Sequence, residues 1–286
     1  ATHSYATAGI YTITMTGLAE AWSFNDGVDK LKITSVTDFG DLGWIDLSGA
    51  FWGCSNLTAF AGGNTAAVTD MSHMFQGATS LTSLDLSSFN TAAVTTMYRM
   101  FNDASSLISL DLSSFDTATV TNMSAMFFNA SGLTGLDLFH FDTAAVTNMS
   151  SMFLNASGLT SLDLSSFDTA AVIDMQYMFS GASGLTSLDL TFFDTVLVMN
   201  MSSMFRGVTL TSLNLSSFDT TLVTNMSQMF RSTTNLTSLD ATGWQDVTTN
   251  PTTGNSIFTG TNAGLVVTCD QGGSPATGDL FGETCM

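Results

Sequence analysis

A Met-Phe pair returns seven times along this chain, with its Phe at Phe75, Phe101, Phe127, Phe153, Phe179, Phe205 and Phe230. The step is 26 residues each time until the last, which is 25. A fixed period of this size marks a supersecondary unit too small to bury its own apolar face, so it is stable only against copies of itself. The chain is therefore expected to stack its coils into a solenoid, and function is expected on rows of equivalent side chains rather than in a pocket.

A clean copy runs over 141–164, FDTAAVTNMSSMFLNASGLTSLDL. Its second half has the spacing L-x-x-L-x-L in Leu159, Leu162 and Leu164, which is the leucine-rich-repeat strand signature. Leu162 and Leu164 share one side of a strand and Asp163 between them faces the other. In the first half, Val146, Met149, Met152, Phe153 and Ala156 fall at helical spacing, which predicts a short helix or 3₁₀ segment stable only when packed. A small residue (Ala78, Ala104, Ala130, Ala156, Ala182, with Cys54 in a degenerate earlier copy) separates the halves, where two segments must close tightly. After each strand comes a Phe (Phe89, Phe115, Phe141, Phe167, Phe193, Phe218) expected to fill the corner, then an Asp or Asn suited to setting a turn.

The repeats cover about 46–245, so at ~4.8 Å per coil the stack is about 40 Å long. Residues 1–45 are expected to form an N-terminal strand or cap segment. Residues 246–286 hold both prolines, Pro251 and Pro275, and are expected to cap the other end. Cys269 and Cys285 share that tail and are candidates for a disulfide, while Cys54 stays free. Five Lys and Arg stand against 24 Asp and Glu, a net charge of −19. A chain so acidic has no basic patch to neutralise phosphates, which excludes nucleic acid and disfavours an anionic membrane surface. No segment has the length and hydropathy of a membrane span. The start at Ala1 suits a processed or trimmed product.

With the repeat laid out, the chain resembles the BspA-like leucine-rich-repeat surface proteins. Their consensus, F-D-T-x-x-V-T-N-M-S-x-M-F-x-x-A-x-x-L-T-S-L-D-L-S-S, stands nearly intact at 115–138, 141–164 and 167–190. Residues 18–60 resemble the degenerate entry copy of such proteins. The resemblance implies a secreted or cell-surface protein without enzymatic activity, used in adhesion or surface contact, and it implies no particular ligand. The expected partner is a surface protein or a glycan, or copies of the chain itself. The expected fold is an α/β solenoid: a leucine-rich-repeat-like right-handed stack of about seven to nine coils. It has a parallel β-sheet on one face, short helices on the other and caps at both ends. The alternation Tyr11, Ile13, Met15 against Thr12, Thr14, Thr16 predicts a half-buried strand and resembles the closing strand of a PKD-type domain. Such a strand could cap the first coil, belong to an upstream domain, or pair with a neighbouring copy as an assembly strand.

The candidate contact face is the row Asp85, Asp111, Asp137, Asp163, Asp189 and Asp240, interrupted by Asn214, beside Ser83, Ser109, Ser161, Ser187 and Ser212. Carboxylates ~5 Å apart repel by about 0.8 kcal/mol per pair at the dielectric of water. Neighbouring hydroxyls, raised pKa values or bound cations must relieve that repulsion. Calcium is the natural cation for such oxygens, but the compact D-x-[DN]-x-[DN]-G loop is absent and simple solvation is the larger alternative. A second row, Asn90, Asp116, Asp142, Asp168, Asp194 and Asp219, reads as turn chemistry. The Met columns (Met97, Met123, Met149, Met175, Met201, Met226) read as core rather than as metal ligands. His3, His73 and His140 share no repeat position, and no catalytic or zinc spacing emerges, so no catalysis is expected. The Thr column Thr91, Thr117, Thr143, Thr169, Thr195, Thr220 raises an ice-binding surface as a minor alternative. Asn122, Asn129, Asn148, Asn155, Asn200 and Asn225 head N-x-Ser sequons, which are either glycosylation sites or backbone caps. The larger alternative to adhesion is a structural filament subunit joined by strand donation or end-to-end stacking.

Overall fold

The computed structural model describes residues 9–244 and 257–269, with the backbone of 279–280 and 283–284. Successive repeats lie on one another in parallel register. Isolated bridges run Ala21, Asp46, Asp70, Thr96, Asn122, Asn148, Asp174, Asn200, Asn225, each residue paired with its equivalent one coil on.

Regular strands are confined to the ends of the stack. β1 (Ser35–Val36), β2 (Ala59–Ala61) and β3 (Ser83–Asp85) form one parallel sheet. β4 (Ser212–Asn214), β5 (Ser238–Asp240) and β6 (Val266–Thr268) form the other. β7 (Asp279–Leu280) and β8 (Glu283–Thr284) pair antiparallel. The four middle copies of the Leu-x-Leu segment carry no regular strand. One backbone bond per step holds them there, Thr134 N–H to Ile108 O at 3.2 Å, then Thr160 to Thr134 and Thr186 to Thr160 at 3.4 Å.

The expected helices are not there. Among the described residues the one helical element is a 3₁₀ turn at Lys30–Lys32. Each Met-Phe segment is instead a pair of tight turns, because two residues in it are left-handed. The residue two before each Phe (His73, Arg99, Ala125, Ser151, Tyr177, Ser203, Gln228) has φ between 53° and 59°. The residue two after it (Gly77, Asp103, Asn129, Asn155, Gly181, Gly207, Ser232) is also at positive φ. A right-handed helix cannot pass through such residues.

The turns leave alternate amides free to bond the next coil. Met152, Leu154 and Ala156 donate back three residues, to Met149, Ser151 and Phe153. Met149, Ser151, Phe153 and Asn155 donate forward, to Asp174, Gln176, Met178 and Ser180, at 2.7 to 3.0 Å. The coils are thus tied most closely along the Met-Phe side.

Inside runs a column of rings. Phe51, Phe75, Phe101, Phe127, Phe153, Phe179, Phe205 and Phe230 stack in sequence, with centroids 5.7 to 5.9 Å apart and planes within 10°. The Met columns, the small-residue column and the corner Phe residues are all buried, as their spacing predicts. Cys54 is free within the small-residue column, and burial pushes its thiol up to about 12.

The stack continues past 245, where the sequence places the start of the cap. Phe258 stacks on Phe230 at 5.3 Å, Phe230 N–H bonds Ile257 O, and β6 pairs with β5. Residues 257–269 therefore make one more coil, with Ile-Phe in place of Met-Phe. Cys269 is in a disulfide; its expected partner Cys285 lies outside the described residues.

At the other end, the half-buried strand expected over Tyr11, Ile13 and Met15 is absent. Residues 9–16 form no strand and every one is exposed, so they do not cover the first coil.

Candidate functional site

The Leu-x-Leu segments put their leucines inside and the residues between them outside. Ser83, Ser109, Ser161, Ser187 and Ser212 are exposed in one row, and Asp85, Asp111, Asp137, Asp163 and Asp189 in the next; Asp240 is half-buried. The structure therefore brings the sequence-expected rows onto one face, in register.

It also gives each carboxylate a local task. Asp85 Oδ1 accepts the Ser87 N–H at 3.0 Å and its hydroxyl at 2.7 Å, and Asp189 does the same with Thr191. Asp111, Asp137 and Asp163 accept the N–H of Ser113, Phe139 and Ser165. Asn214 keeps the pattern with Ser216. These are Asx turns that fix the exit from each strand.

The repulsion expected between stacked carboxylates is relieved by these donors. Hydrogen bonds from Ser87 and Ser113, hydroxyl first and backbone second, hold Asp85 and Asp111 below the usual carboxylate range. For Asp163 and Asp189 the backbone N–H of Ser165 and Thr191 is the larger cause and the hydroxyl the second. Where a neighbouring aspartate acts at all, on Asp85 and Asp189, it is the weakest influence. At Asp85, Asp111, Asp163 and Asp189 the pKa is lowered, where stacking alone leads one to expect a rise. Among the described residues no three His, Cys, Asp or Glu side chains come together as a metal site.

The second acidic row is turn chemistry throughout. Asn90, Asp116, Asp142, Asp168, Asp194 and Asp219 each accept the N–H two residues on. Hydrogen bonds from Thr221 also lower the Asp219 pKa.

The Thr column proposed for ice is buried, so it presents no surface. Thr91 Oγ1 donates to Asp116 O at 2.7 Å and accepts the Asp116 N–H at 2.8 Å. Thr117, Thr143, Thr169 and Thr195 repeat the donation to the next coil. The period alone could not tell an inward hydroxyl from an outward one.

The sequon asparagines sit in the inter-coil contacts. Asn122, Asn148, Asn200 and Asn225 occupy the bridge row and accept the N–H two residues on. Asp174 in the same row is half-buried, and desolvation raises its pKa. Asn129 Nδ2 donates to Asp103, and Asn155 Nδ2 to Asn129. Backbone capping describes Asn122, Asn148, Asn200 and Asn225, whereas Asn129 and Asn155 bond side chains one coil away.

His73 stacks on Trp52 and meets the edge of Tyr98, whereas His140 meets Phe139 on a different corner. His3 lies outside the described residues.

Fold and face together define a repeat protein whose coils pair in parallel and hold rows of identical side chains in register. The model of the family described as "Mycoplasma protein of unknown function, DUF285" matches residues 45–159, 108–190, 130–244 and 184–263, and the chain belongs to that family. No curated protein matches it. Among solved structures it is similar to one titled "Crystal structure of TLR13-ssRNA13 complex", at 17% identity and a TM-score of 0.28. That match covers 80% of this chain, and the chain spans 36% of the other. Among the described residues no helix is long and apolar enough to cross a membrane.

Proposed function

We propose that this chain is a right-handed solenoid of the leucine-rich-repeat type, akin to the BspA-like surface proteins, secreted or held at the cell surface. It binds or displays without catalysis. The observation that carries this reading is the exposed face of aligned Ser and Asp rows. Turns fix its carboxylates in direction. A row of fixed charges alternating with hydroxyls suits a surface protein with a basic stretch or a polyhydroxylated glycan, met at many points at once.

Asparagine is the test substitution, since Asn214 already makes the same turn bond without charge. Asp137→Asn combined with Asp163→Asn is expected to weaken binding to an immobilised panel of basic proteins and glycans at least tenfold, with an unchanged melting curve. Unchanged binding, or none to any member of the panel by the parent chain, would remove this face from consideration.

A further inference from the structure

Five large aliphatic side chains lie exposed on the surface between the second turn row and the bridge row: Ile173, Val196, Leu197, Met199 and Leu222, each 44% to 49% accessible. They fall on three consecutive coils. Preceding coils carry Ala92, Ala93 and Thr95, or Ala144, Ala145 and Thr147, at the equivalent positions, so the repeat folds without large apolar groups there. A contiguous apolar patch that folding does not require marks a contact surface. Carboxylates border it: Asp168, Asp194 and Asp219 on one side, and Asp174 on the other.

A second exposed apolar surface lies at the other end of the molecule. Residues 9–18, GIYTITMTGL, contain no charged side chain in a chain of net charge −19. Ile10 is 95% exposed, Ile13 72% and Leu18 90%, with Tyr11 and Met15 also exposed. A patch rimmed by carboxylates rejects most of the surface of an acidic chain, because like charges would be desolvated together. It accepts this segment, which brings apolar area and no charge.

Within one molecule most of the segment cannot reach the patch. Ala19 N–H bonds Leu42 O, which pins the end of the segment to the first coils. Six bridge steps separate Ala21 from Asp174, the row beside Ile173. That is about 29 Å at ~4.8 Å per step, and Met199 and Leu222 lie farther still. Ile13, six residues from Ala19, reaches at most about 21 Å from it. Only Ile10, fully stretched, would touch the near edge.

We infer that residues 9–18 of one copy dock on the Ile173, Val196, Leu197, Met199 and Leu222 patch of a second copy. The two surfaces differ, so the contact is heterologous and each copy keeps one of each free. When each copy passes its segment to a new neighbour, association grows as an open series. This inference does not depend on the binding role of the Ser and Asp rows, which lie on another face.

Sedimentation velocity of the full chain over a concentration series tests it. The parent chain is expected to form a ladder of species that lengthens as salt rises, because screening reduces the repulsion between acidic copies. Ile13→Asp and Leu197→Asp, each at an exposed position, should each weaken association at least tenfold while leaving the melting curve unchanged. A mixture of Ile13→Cys and Leu197→Cys chains should give a disulfide-linked pair on oxidation. A parent chain that stays monomeric at every concentration would overturn the inference. So would association indifferent to both Asp variants, or an Ile13→Cys, Leu197→Cys double variant that closes its bond within one chain.

Discussion

The two long sides of a coil share one period and bond to their neighbours very differently. On the Met-Phe side, four amides per coil reach the next coil at 2.7 to 3.0 Å in the 149–155 copy. On the Leu-x-Leu side, the middle copies keep one bond per step at 3.2 to 3.4 Å, and regular strands survive only at the two ends. The side that looks like a strand in sequence is the looser one, and the side that looks like a helix is a backbone ladder. Hydrophobic spacing reports which side chains go inside; it does not report which backbone groups pair. Here the pairing is set by the two left-handed residues that flank each Met-Phe.

This contrast can be broken or sharpened by measurement. The largest expected effect is in the ring column. Phe153→Ala should cost about 3–5 kcal/mol in chemical denaturation, the range for removing a fully buried aromatic. Leu162→Ala, on the looser side and 8% exposed, should cost less; the reverse order would overturn the contrast. Next comes the buried hydroxyl. Thr91→Val leaves both the N–H and the C=O of Asp116 without their partner and should cost about 1–3 kcal/mol. Smaller again is the left-handed position at Ser151, φ 58°. Ser151→Val should cost about 1–2 kcal/mol and Ser151→Gly should be neutral or stabilising. A true helix at this site would give the opposite order for glycine. Amide exchange gives the same comparison without mutation: Met149, Ser151, Phe153 and Asn155 should exchange more slowly than Ser161 to Leu164.

The smallest effect concerns pH. The folded pKa values of Asp85, Asp111, Asp163 and Asp189 lie below their unfolded values, so these groups add stability above the unfolded carboxylate range. That stability is lost as pH falls through the folded values. Asp174 is raised and has the opposite sign. Its contribution is present below the unfolded value and is lost as pH rises through the folded one. Asp174→Asn should therefore raise the melting temperature slightly at pH 7 and remove the gain on mild acidification. Asn148 and Asn200 already occupy that row.

Much of the core was legible because burial leaves a periodic trace. The Met columns, the Ala column and the corner Phe residues each follow from spacing and are each buried. The left-handed column after each Phe also left a trace that spacing did not pick up. Gly77, Asp103, Asn129, Asn155, Gly181 and Gly207 are the residue types that tolerate positive φ. The column before it, with Arg99, Ala125 and Tyr177, carried no such signal, since a compact turn held from both sides imposes that conformation on residues that do not prefer it. Alternation along the Leu-x-Leu segment puts the Ser and Asp rows outside, but their turn bonds depend on how the chain leaves the strand.

The amino-acid order alone determined that equivalent residues stack, which of them are inside, and how the charge falls, because those properties follow from a period and a composition. Only the tertiary structure decided that Met-Phe is a hydrogen-bonded turn ladder and that the Thr column points inward. It also decided that a further coil follows residue 245. Each of these depends on backbone dihedrals and on the partner one coil away, which no single repeat contains.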